Sequence, residues 1–168
     1  MTRKSDNADT PPLPMLEKRR IEAAILKNVY DVLVERHGKD EAEQVIGEAV
    51  IQSAVDQGRE YREQHEGETD LLDFAALGEL WEMGGALKRE ILVKTSDKYE
   101  YNMVHCAYTE MYKEMGLGHI GHLLSCNRDT TFCRGFNPAM ELTVTQTIMG
   151  GADYCDFRYR LRKNTDQD

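Results

Sequence analysis

The chain has 168 residues, 40% hydrophobic and 30% charged, with a formal net charge of −9 at pH 7 and a pI near 5.1. That length suits one domain with a sizeable core. The acidic balance argues against a sequence-independent grip on nucleic acid or anionic lipid, and no apolar run approaches the ~20 residues that span a bilayer.

Residues 1–14, "MTRKSDNADTPPLP", have charges and three prolines but no apolar run of a secretion signal. They are expected to form a disordered arm, leaving a single domain over residues 15–168 in a cytoplasmic protein. In "EKRRIEAAILKNVYDVLVERHG", Ile21, Ala24, Ile25, Val29, Val32 and Leu33 form one apolar stripe at helical spacing, expected to pack inward, and Gly38 ends it. Asp40, with Glu43 three residues on, is the expected cap of a second helix running to about Glu66. A third helix, "DLLDFAALGELWEM", is capped by Thr69 or Asp70 and stopped by Gly84-Gly85.

After Gly85 the period falls to two. Leu87, Arg89, Ile91 and Val93 alternate on one strand, "TSDK" turns, and Tyr99, Tyr101 and Met103 alternate on the return. "AYTEMYKEMG" reads as a short helix, and "HIGHLLSCNRDTTFCRGF" as another with a break allowed at Gly121, ended by Asn137-Pro138. Met140, Leu142, Val144 and Ile148 then predict a strand, "GGAD" a turn, and Cys155, Phe157, Tyr159 and Leu161 a last strand. The fold class is α+β: a helical N-terminal half packed with a roughly four-stranded antiparallel sheet of two hairpins joined by helices.

Chemistry concentrates in the C-terminal half, which holds all four cysteines, Cys106, Cys126, Cys133 and Cys155. None has the short spacing of a zinc knuckle or thioredoxin motif, and the default reading is small buried hydrophobes. Cys106 falls where a strand enters a helix, a position that favours a thiolate. Cys126 sits in "SCNRD", with Asn127 and Asp129 beside it and His122 four residues earlier, where a helix would bring the two side chains together. A nucleophilic thiol needs a base or cation nearby, and Arg128, Arg134 and Arg158 are the longer-reach cations. On the last strand Asp156 and Arg158 share the face opposite Cys155 and Phe157, as a salt bridge or a grip on a small zwitterion.

In order along the chain, "CAYTEMYKEMG", "GHLLSCNRD", "FNP" and "TIMGGADYCDFRY" resemble the L-2-amino-thiazoline-4-carboxylic acid hydrolase family, well over about residues 87 to 161 and loosely before. Cys106, Cys126 and Cys155 match the family pattern, and Cys133 is this sequence's own addition. The resemblance implies hydrolytic opening of a small cyclic C–N/C–S ring to an N-carbamoyl amino acid. It makes Cys126 the candidate nucleophile, His122 and Asp129 its proton carriers, and Arg158 the substrate-carboxylate ligand. Cys106, Asn127, Asn137 and Cys155 are further substrate-binding candidates, and direct attack by water is the open variant. No cofactor is expected. Zinc is the metal the residue types would suit, three thiols plus His105 or an acid making a tetrahedral set, though the spacing gives it no support. The expected partner is a small-molecule substrate, without nucleic acid or membrane, and with homo-oligomers left open. A second resemblance, on Gly151, Cys155 and Phe157, is to vinyl-reductase-like domains that bind small ligands without catalysis.

Overall fold

The computed structural model describes residues 12–162, so the N-terminal arm lies outside the described residues up to position 11. Five helices and four strands follow in the order α1 (Met15–His37), α2 (Lys39–Glu63), α3 (Leu71–Glu82), β1 (Leu87–Lys94), β2 (Lys98–Cys106), α4 (Ala107–Glu114), α5 (Asn127–Phe136), β3 (Met140–Thr143) and β4 (Cys155–Leu161). The sheet is antiparallel, in the order β1-β2-β4-β3, so two hairpins join along β2 and β4. This is the expected α+β fold. Among the described residues, no helix is long and apolar enough to cross a membrane.

Local chemistry sets the boundaries. Gly38, at φ +87°, separates α1 from α2 and is itself the α2 N-cap residue. Asp40, the expected cap, lies instead in the first turn, where its charge suits the helix dipole. Helix α3 has the expected Asp70 cap: its carboxylate accepts from the Leu72 and Asp73 amides, while Asp73 accepts from the Asp70 amide.

Tyr99, Tyr101 and Met103 stand opposite Tyr159, Phe157 and Cys155 across the β2–β4 ladder. Their shared face is buried against α3 and α5 with Phe74, Phe132 and Phe136. The other face of the same strands is polar, with Lys98, Glu100 and Asn102 facing Arg160, Arg158 and Asp156. A second core of Ile46, Val50, Met111, Tyr112, Ile120 and Leu124 ties α2 to α4 and the chain before α5.

Three further expectations change. Helix α1 buries Met15, Arg19, Ala23 and Tyr30, while the stripe apart from half-buried Leu33 faces out: Ile21, Ile25, Val29 and Val32 are 60%, 65%, 41% and 44% exposed. Periodicity marks an apolar face but cannot say which face meets the core. Strand β3 stops at Thr143, short of Val144 and Ile148. There the Asp156 carboxylate accepts from the amides of Thr145 (2.8 Å) and Gln146 (2.9 Å) and from the Thr145 hydroxyl, diverting the chain from the ladder into a loop. The helix foreseen over 119–136 also begins differently, with a π-turn at His122–Cys126 leading into α5.

Candidate active site

Between the two cores lies a cavity of about 120 Å³. The sheet supplies Tyr101, Cys155 and Phe157, α3 supplies Trp81, and β1 supplies Arg89. Arg89 is held by ion pairing with Glu82 and by donating to the Tyr99 hydroxyl, and its guanidinium lies 5.6 Å from the Tyr101 ring centre. Gly78 makes room for it, since a Cβ there would lie 2.1 Å from Arg89 Nη1.

The opposite wall is polar. Ser125, Cys126, Arg128 and Asp129 enter from the π-turn and α5, Cys106 and Thr109 from the β2–α4 junction, and Arg19 and Gln57 from α1 and α2. Arg19 is 5% exposed, ion-paired to Glu22 at 2.7 Å and hydrogen-bonded to Gln57 at 2.9 Å. Glu22 also accepts from Arg128 Nη2 at 3.2 Å, so one carboxylate bridges two guanidinium groups.

Asp129 is the electrostatic centre of this wall. Burial pushes its carboxyl up to about 7, with Arg128 only partly opposing the shift. Among the described residues nothing donates a hydrogen bond to it. The thiols move the same way. Burial, then Asp129 and the neighbouring Cys155 and Cys106 sulfurs, push Cys126 far up. Burial raises Cys106 although it occupies the N-cap position of α4, where the Thr109 hydroxyl and the Thr109 and Tyr108 amides work against the shift. Burial brings Cys155 to about 11 against the pull of the Ile148 amide.

Of the residues singled out from sequence, Cys106, Cys126, Asp129 and Cys155 meet in this cavity. His122 does not: it is exposed on the π-turn, whose wider winding means that four residues no longer complete a turn. Asn127 faces α2 beside Gly47. Asn137 holds the chain between α5 and β3, donating to Thr69 O at 2.7 Å and accepting from the Ala139 amide at 2.9 Å. Arg158 lies on the polar sheet face and donates to Tyr101 O, Phe157 O and Asn102 Oδ1. Cys133 is buried beside the cavity without lining it, donating to Thr130 O. Among the described residues no three His, Cys, Asp or Glu side chains gather closely enough to hold a metal ion.

Sequence reasoning missed Arg19, Gln57, Thr109 and the aromatic wall as site residues. Arg19 sits in the charged run "EKRR", which reads as solvated, and carries no local mark of burial. The tyrosines were legible as one strand face, but not as the lining of a cavity.

Fold and site together define an α+β domain enclosing a small cavity with an acid, thiols and guanidinium groups on one wall. The chain belongs to the L-2-amino-thiazoline-4-carboxylic acid hydrolase family, whose model matches residues 18–159. No curated protein matches it. Among solved structures it is similar to the phenol-responsive sensory domain of the transcription activator PoxR with phenol (TM-score 0.52, 11% identity, 85% of this chain and 74% of that one). It is also similar to a trafficking protein particle complex subunit 3 from Naegleria fowleri covalently bound to palmitic acid (TM-score 0.51, 11% identity, 88% and 96%). At these identities the likeness concerns the fold alone.

Proposed function

We propose that the cavity hydrolyses a small cyclic amidine-like substrate of the 2-amino-thiazoline-4-carboxylate type, with Asp129 as the acid–base group. The observation that carries this reading is the Asp129 carboxyl, facing the cavity without a hydrogen-bond donor and poised at about 7. A group that changes protonation near neutral pH suits proton transfer in both directions. In the proposed reaction water adds to the ring carbon between nitrogen and sulfur as its proton passes to Asp129. The carbon–sulfur bond then breaks and the leaving sulfur takes that proton back. The second water proton goes to the ring nitrogen, and the product is an N-carbamoyl amino acid with a free thiol.

Water is the preferred nucleophile because burial and Asp129 both keep the Cys126 thiol protonated. Cys126 then packs beside the reacting carbon. A covalent role for it would require Asp129 to remove a proton held far more tightly than its own.

The test is to supply L-2-amino-thiazoline-4-carboxylate and follow loss of the ring with appearance of one new thiol per turnover. Asp129→Asn is expected to lower the rate by about 10²- to 10⁴-fold, and Cys126→Ser to lower it by less than tenfold. Loss of all turnover in Cys126→Ala, with Asp129→Asn still active, would reinstate the thiol as nucleophile. A second reading, ligand binding without turnover, draws on the aromatic wall of Trp81, Tyr101 and Phe157. Saturable binding with an intact ring at every pH would favour it.

A further inference from the structure

We propose that Arg128 and Thr109 form a subsite for a ligand carboxylate at the polar end of the cavity. Two buried side-chain polar atoms have no hydrogen-bond partner among the described residues, Arg128 Nη1 and Thr109 Oγ1, and both residues line this cavity. Buried polar groups are nearly always paired, so two orphans in one cavity call for a shared explanation. Thr109 is 2% exposed. Its hydroxyl stands beside the Cys106 thiol, where it opposes the rise that burial gives that thiol's pKa.

The Arg128 guanidinium is already oriented. Its Nε donates to Leu124 O at 3.1 Å and its Nη2 to Glu22 at 3.2 Å, leaving Nη1 as the unused donor. Charge points the same way. Arg19 and Arg128 share the single carboxylate of Glu22, and the other acid beside Arg128, Asp129, is neutral below about pH 7. Burial and the nearby Arg19 accordingly draw the Arg128 pKa down, a penalty that a bound anion would relieve. A carboxylate has the charge and acceptor atoms to take Nη1 and the Thr109 hydroxyl together. Arg128 and Asp129 are consecutive and both line the cavity, so a ligand anchored there presents its body to the acid–base group. Arg158, engaged on the far sheet face, is not needed for this.

The subsite rests on the hydrolytic reading only for its choice of ligand, and binding tests it without turnover. L-2-amino-thiazoline-4-carboxylate and 2-amino-thiazoline, which lacks the carboxylate, would be titrated calorimetrically against the Asp129→Asn protein, with and without Arg128→Gln. The carboxylate compound is expected to bind roughly 10- to 100-fold more tightly than the neutral one. Arg128→Gln should remove that advantage while leaving affinity for the neutral compound unchanged. Should Arg128→Gln fail to fold, Thr109→Val serves, with an expected several-fold loss for the carboxylate compound only. Equal affinities for the two ligands, equal loss for both on substitution, or no binding of the carboxylate compound at millimolar concentration would overturn the subsite. Discrimination in binding without turnover by the unsubstituted protein would retain the subsite and remove the hydrolase reading.

A separate observation concerns α1. From its exposed stripe we infer that a second copy of the chain packs antiparallel on this helix about a two-fold axis. The pattern is self-complementary: in that arrangement Ile21 meets Val32, Ala24 meets Val29, and Ile25 meets Asn28. At the ends Lys18 meets Glu35. Lys18 and Glu35 are exposed and make no ion pair among the described residues of one chain. Isologous pairing of this kind closes into a dimer and covers the stripe.

Light scattering of the full chain at about 50 μM should give twice the chain mass. Ile25→Glu should give the monomer with unchanged helicity. Lys18→Glu should weaken the dimer and Lys18→Glu/Glu35→Lys restore it. A monomeric unsubstituted protein, a dimer indifferent to Ile25→Glu, or a different protein or membrane on this face would overturn the inference.

Discussion

Asp129 combines two consequences of one placement. Burial raises its folded pKa to about 7 from an ordinary value near 3.8. A carboxyl raised in the folded state contributes stability that is complete below its unfolded pKa and is lost as pH rises through about 7. Asp129→Asn should therefore stabilise the protein at pH 8, by up to about 4 kcal/mol, and change little at pH 4. Chemical denaturation at the two pH values checks the sign. The same ionisation governs proposed activity: kcat/KM should rise with pH through about 7 if the carboxylate is the base, a limb absent from Asp129→Asn. Trp81 is the chain's one tryptophan and lines the cavity, so ligand binding should shift its emission, and Trp81→Phe should abolish the signal.

At the scale of elements, the cavity depends on the close approach of α2 to α5. A Cβ on Gly58 would lie 2.3 Å from Phe132 O and 2.8 Å from the Phe136 amide, and one on Gly135 would lie 2.1 Å from Val55 O. Backbone atoms cannot swing aside as a side chain can. Gly58→Ala should thus cost about 3 kcal/mol and lower the melting temperature by roughly 6–12 °C, measurable by thermal unfolding. Because α5 carries Arg128 and Asp129, ligand affinity should fall with it. The π-turn before α5 has a comparable effect on position: it separates exposed His122 from inward Cys126, which regular helical winding would have placed on one face.

Over the whole molecule the shifted groups predict a stability optimum on the acid side of neutrality. Against their burial, Glu100 is held below the usual carboxylate range by Arg160 and Lys98, and Asp156 by the Thr145 hydroxyl and the Thr145 and Gln146 amides. Their contributions are present above the ordinary carboxylate pKa and fade in strong acid. Asp129 acts oppositely through about 7, and burial holds Cys133 and Cys155 up at about 11, so their contributions are lost in alkali. The net charge of −9 at pH 7 adds self-repulsion that shrinks toward the pI near 5.1. Melting temperature should peak near pH 4–5, decline toward pH 7 and fall again above pH 9. A maximum at pH 8 would contradict this assignment.

The alternation in "KYEYNM" and "CDFRYRL", the Asp70 cap and the stop at Gly38 are local instructions, and they are enough for these strands, these helix boundaries and the α+β class. Steric and hydrogen-bonding preferences within a few residues suffice for them. Which face of α1 turns inward was decided only by tertiary packing, because its buried side includes Arg19, whose partner Gln57 lies on another helix. The site divides the same way. Cys106, Cys126, Asp129 and Cys155 could be named from the chain. Their convergence on one cavity, the exclusion of His122 and Arg158, and the raised acid and thiol pKa values come from long-range burial. Desolvation belongs to a place in the fold rather than to a run of residues, and no motif spells it.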